Sequence, residues 1–65
     1  MLMSELKKRI YEDATDIQVE RLREDDNFGS PQSFFASALH YNLIGENEYE
    51  RARLHYRDLW NYRGD

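Results

Sequence analysis

The sequence has no cysteine, one proline and three glycines. Without cysteine there are no disulfides and no thiolate zinc site, so neither staple that commonly stabilises short chains is on hand. No uncharged run is long or apolar enough to cross a bilayer. Met1-Leu2-Met3 gives way at once to Ser4-Glu5, which leaves no apolar core for a signal peptide. Together these absences lead to the expectation of a cytoplasmic protein. Positive charge is also short, with 9 Lys and Arg against 13 Asp and Glu. Such a balance favours solubility and argues against general nucleic-acid or anionic-membrane binding. A chain of 65 residues allows a single small domain, residues 1–65. Chains of this size bury only about 60% of their unfolded surface, so idealised helices or oligomerisation must supply any extra stability.

What is present is organised around residues 31–45, which carry no charged side chain. Ser30-Pro31 marks a helix start, because proline pushes the preceding residue toward extended backbone and suits the first helical position. Gly45 marks the stop. On a helical projection Tyr41, Phe34, Ala38, Phe35, Leu39, Leu43 and Ala36 cover an arc of about 220°, roughly twice the stripe of a surface helix. A helix so apolar must be covered from two sides. The spacing therefore predicts a central helix over 31–44, with Phe35, Leu39, Tyr56 and Trp60 buried together.

On the N-terminal side Ser4 is the expected cap, and Met3, Leu6, Ile10, Ala14 and Ile17 share a stripe about 80° wide. Val19 and Leu22 fall off it. Two readings follow: a continuous or kinked helix over 5–23, which is favoured, or a break near Asp13 with Thr15 or Asp16 capping a second short helix. Residues 25–30 form a turn-rich connector in which Phe28 is expected to tuck inward as a plug. After Gly45, Asn47 with Glu50 matches capping-box spacing, and a third helix is expected over 48–62. On it Tyr49, Ala52, Tyr56, Leu59 and Trp60 lie within about 100° of one another. A turn this short makes the third helix antiparallel to the central one. The fold expected is all-α: a small three-helix bundle, or a helical hairpin plus an N-terminal helix.

Residues 39–54, Leu-His-Tyr-Asn-Leu-Ile-Gly-Glu-Asn-Glu-Tyr-Glu-Arg-Ala-Arg-Leu, loosely resemble the short helical hairpins called SHOCT domains. Here glycine follows the isoleucine instead of preceding it, and Asn47 replaces threonine as the cap. The resemblance implies a helical hairpin and assigns no site residue.

Chemistry is sparse. His40 and Ser37 sit one turn apart, but no orienting acid or oxyanion site accompanies them, so no catalytic residue is assigned. His40 and His55 lie on different helices, and no metal or cofactor site is expected. A DNA-binding helix-turn-helix fails at Tyr41 and Arg51, where such motifs want a small and an apolar residue. The acids Glu24-Asp25-Asp26, with Glu12, Asp13, Asp16 and Glu20, read as a solvated face rather than a DNA mimic, because residues 1–30 also hold five bases. The one suggestive feature is on the third helix, where Leu54, Asp58 and Tyr62 recur every four residues opposite the core stripe, beside Arg51 and His55. Tyr, Arg and Leu around one acid suit a protein-binding patch.

The reading is a small, non-enzymatic accessory, adaptor or inhibitor module that binds another protein, or itself as a homodimer, with no small-molecule substrate. Small accessory proteins of phages and mobile elements have this make-up. The alternative is a nucleic-acid-associated regulator using Arg51, Arg53, Arg57 and Arg63. Two short neighbours nearly exhaust their reach over the central arc, so something near Phe34, Phe35 or Leu43 is expected to lack a cover. Association is expected to bury that surface or the Leu54–Tyr62 edge.

Overall fold

The computed structural model describes residues 2–61. Those residues are all helical in their regular structure, with α1 over Met3–Asp13, α2 over Asp16–Asn27, α3 over Pro31–His40 and α4 over Glu46–His55. The expected all-α class therefore holds, but four helices stand where three were expected.

The extra helix comes from a break between Asp13 and Asp16. Ala14 and Thr15 are both extended, and the Thr15 hydroxyl accepts from the Gln18 N–H while the Gln18 side chain accepts from the Thr15 N–H. This reciprocal capping box satisfies two helix-start donors and makes Thr15 the start of a new helix. The favoured continuous helix over 5–23 is thus corrected to the broken form. The break also resets the register. Leu6 and Ile10 of the first stripe are buried, but Ile17 is 81% exposed, and Leu22 takes the core position on α2.

Other expected boundaries move as well. Leu2 rather than Ser4 occupies the N-cap position of α1. Phe28 does not plug the connector; it stands 61% exposed while Gly29, at φ 95°, makes the reversal into α3. Pro31 opens α3 as expected. Its end is set by Asn42 at φ 61°, not by Gly45. The Leu43 N–H donates to the Ala38 carbonyl and the Asn42 N–H to the Leu39 carbonyl, the paired bonds of a left-handed helix stop. Gly45 instead starts α4, with its N–H donating to Glu48 Oε1 at 3.2 Å. Asn47 lies inside the first turn of α4 and is exposed, so it is not the cap.

α3 is the organising element, packed against both α2 and α4. Phe34, Phe35 and Ala38 are buried, and Leu39 and Leu43 are partly buried against them. Phe34 and Phe35, expected among the uncovered candidates, are therefore covered, and Leu43 keeps a partly open side. α1 supplies the missing cover: Tyr11 lies 5.5 Å from the Phe34 ring and Lys7 Nζ sits 4.9 Å above it. Leu39 and Tyr56 are only partly buried, so of the four residues expected at the core centre Phe35 and Trp60 are the buried pair. α4 ends at His55, well short of residue 62. Residues 56–61 turn back, and Trp60 is drawn to 6% exposure.

Candidate interaction surface

The outer side of α4 is where the expected binding residues fall. Ala52 is buried and Tyr49 half-buried, which fixes the inward face of the helix. Arg51, Leu54 and His55 are all exposed, with Leu54 at 63%. Asp58 is exposed too, but it lies beyond the helix in the turned segment. The regular four-residue spacing of Leu54, Asp58 and Tyr62 therefore does not describe one helical edge, and Tyr62 lies outside the described residues. Leu59, expected inward, is 52% exposed instead.

Leu59 rims a small cleft of about 150 Å³ between the turned segment and the start of α3. Tyr56, Pro31, Phe34 and Phe35 give it apolar walls, and Lys7 and Asp26 stand at its edge. Those two charges satisfy each other at 2.6 Å. A wider open groove of about 520 Å³ runs between α1 and α2, lined by Tyr11, Val19, Arg23, Asp26 and Asn27. Burial pushes the Tyr11 phenol above its ordinary value of 10.0, and the nearby Asp26 carboxylate adds to the effect.

The charged residues read in the sequence are largely used internally. Asp25 accepts from the Ser37 hydroxyl and pairs with Arg21 at 3.8 Å, while Asp26 takes Lys7. Two of the three acids in the 24–26 run thus face partners within the chain. Ser37 is committed to Asp25, and the exposed His40 ring lies 5.6 Å from Tyr41, so the two form no pair. Among the described residues no three His, Asp or Glu side chains gather as metal ligands would. Of the four arginines in the nucleic-acid alternative, Arg53 is paired with Glu50 at 2.8 Å and Arg51 and Arg57 are exposed. Arg63 lies outside the described residues. No described helix is long and apolar enough to cross a membrane.

A contact that residue patterns alone did not suggest links distant parts of the chain. Ser30 occupies the N-cap position of α3 but makes no cap; its hydroxyl donates to the Trp60 carbonyl. The Ser30 side chain is buried, as is Trp60. Only its place before proline drew notice in the sequence, and that signal pointed to a cap.

No known protein family, characterised protein or solved structure matches the chain.

Proposed function

We propose that the chain is a small non-enzymatic module that binds another protein through the outer side of α4, acting as an accessory, adaptor or inhibitor. The observation that carries this reading is the distribution of large apolar side chains. Phe34, Phe35 and Trp60 are buried, whereas Leu54 stands open on a helix face flanked by Arg51 and His55. Arginine and aromatic groups around an apolar centre are favoured at protein interfaces. Asp58 extends the proposed contact beyond the helix end. A homodimer that uses this same side of α4 is the self-directed form of the reading.

The test is capture from the native host with the wild-type chain and a Leu54→Asp variant in parallel. A protein retained in stoichiometric amount by the wild type and lost by the variant supports the reading. Equal retention by both removes Leu54 from the contact. Retention of nucleic acid, lost steeply with salt, would move the function to Arg51 and Arg57. Sedimentation equilibrium on the two chains checks the homodimer form: Leu54→Asp must shift a dimer toward monomer.

A further inference from the structure

The segment after α4 has a sequence that fits one conformation and a structure that shows another. Glu46 through Asn61 contains no proline or glycine, and Tyr49, Ala52, Tyr56, Leu59 and Trp60 would share one face if the helix ran on. The helix nevertheless stops at His55. The indole explains the stop. The Phe35 and Tyr56 rings are 5.8 Å apart, so the end of α4 lies beside the middle of α3. Continued as a helix, Trp60 would stand about 16 Å along the axis from Tyr49 and could not reach it. The chain folds back instead and places Trp60 over Phe35, stacked at 6.3 Å, and edge-on to Tyr49 at 5.4 Å.

Beyond those rings and the Tyr56–Phe35 contact, three hydrogen bonds hold this segment among the described residues. Its carbonyl at Trp60 takes the Ser30 hydroxyl, the Tyr56 N–H donates to the Ala52 carbonyl at 2.9 Å, and the Leu59 N–H donates to the Tyr56 carbonyl at 2.8 Å. Arg57, Asp58, Leu59 and Asn61 are exposed, and neither Arg57 nor Asp58 forms an ion pair among the described residues. The cleft of about 150 Å³ beneath Tyr56 and Leu59 means that the segment does not fill the space it covers. Local opening is favoured where packed contacts are few and the alternative conformation is itself regular.

We propose that residues 56–61 are a strap, latched by Trp60 and Ser30, that opens as a unit while the four helices stay folded. Opening withdraws the indole from Phe35 and Tyr49 and lets α4 lengthen. An aromatic surface hidden in the closed form is then presented to solvent. The strap is a property of this chain alone and opens whether or not the outer side of α4 binds a protein.

Trp60 is the only tryptophan, so its emission and its quenching by acrylamide report on the strap alone. In a denaturant titration of the full chain, Trp60 emission should shift and quenching rise before far-ultraviolet ellipticity is lost. Coincident transitions would show that the strap belongs to one cooperative unit with the helices, which overturns the proposal. Ser30→Ala should raise the opening constant by about three- to ten-fold, the usual effect of one lost hydrogen bond, and leave the helical transition nearly in place. A variant that moves both transitions equally, or leaves the Trp60 transition where it was, defeats Ser30 as the latch.

Discussion

At the scale of single residues, Thr15 and Asn42 each set a place where the chain bends. Thr15 does so through its hydroxyl, which shares a capping box with Gln18. Thr15→Ala is expected to destabilise by about 0.5–2 kcal/mol, the usual cost of a lost N-cap. Asn47→Ala, at an exposed position that caps nothing, should stay within about 0.5 kcal/mol. Denaturant midpoints of the two variants, measured together, check both. Asn42 acts through its backbone, since φ 61° is a region most side chains resist and asparagine tolerates. Asn42→Ala should cost about 1 kcal/mol and Asn42→Gly little or nothing. A midpoint that falls equally for both would show that the Asn42 side chain, not its backbone angle, matters. Gly45 is different: a Cβ built there meets nothing within 4 Å, and its backbone is extended, so its place depends on neither space nor a left-handed turn.

At the scale of elements, α1 is held to the others by two ion pairs as well as by Leu6 and Ile10. Lys7 reaches Asp26 of α2, and Arg9 reaches Glu48 of α4 at 2.5 Å. Burial by itself pushes the Glu48 carboxyl up. The bonds it accepts from Arg9 and the Gly45 N–H, with the nearby positive charge, outweigh that and hold it below its ordinary 4.5. A carboxyl that ionises more easily in the folded chain contributes stability above its unfolded value and loses it as pH falls through the folded one. Glu48 therefore contributes fully at neutral pH, begins to lose that contribution as pH falls past its ordinary 4.5, and has lost it once pH is below its lowered folded value. Glu48→Gln should flatten part of the fall in melting temperature on acidification, and parallel pH profiles for variant and wild type would rule out that contribution. Both side chains are partly exposed, so a double-mutant cycle between Arg9 and Glu48 should give a coupling of only about 0.2–1 kcal/mol.

At the scale of the whole molecule, the core is centred on Phe34 and Phe35, with Leu6, Ile10, Leu22, Ala38, Ile44 and Ala52 buried in the same cluster. Phe34 and Phe35 meet edge to face at 5.0 Å, and Tyr11, Tyr56 and Trp60 close around them. A domain of this length has only about 3–10 kcal/mol of net stability, and truncating a buried Phe costs about 3–5 kcal/mol. Phe35→Ala should therefore lower the melting transition severely or abolish it. A cooperative melt near the wild-type temperature would remove Phe35 from the centre of the core. Leu39→Ala, at a partly buried site, should be milder.

The sequence by itself determined the helical class, the helix start at Pro31, Leu6 and Ile10 as the buried residues of α1, and Phe34, Phe35 and Ala38 as those of α3, although Ala36 of the expected stripe is exposed. Those follow from local rules: proline fixes φ, and apolar side chains at helical spacing must find cover. The Thr15 cap was legible too, in the Thr-x-x-Gln spacing, but the apolar stripe running from Met3 to Ile17 outweighed it. Only tertiary structure decided which residues stayed outside. Ile17 left the core because the break at Thr15 rotated its register, a choice made when Leu22 packed instead. Leu59 and the end of α4 depended on where Trp60 meets Phe35 and Tyr49, a contact that no pattern within α4 records. Of the expected patch, Arg51, Leu54 and His55 are exposed on α4, while Asp58 lies on a segment whose path is set by Trp60. The Ser30 hydroxyl finds the Trp60 carbonyl 30 positions away. Contacts between residues so far apart form only when the whole chain has packed, because no local pattern brings them together.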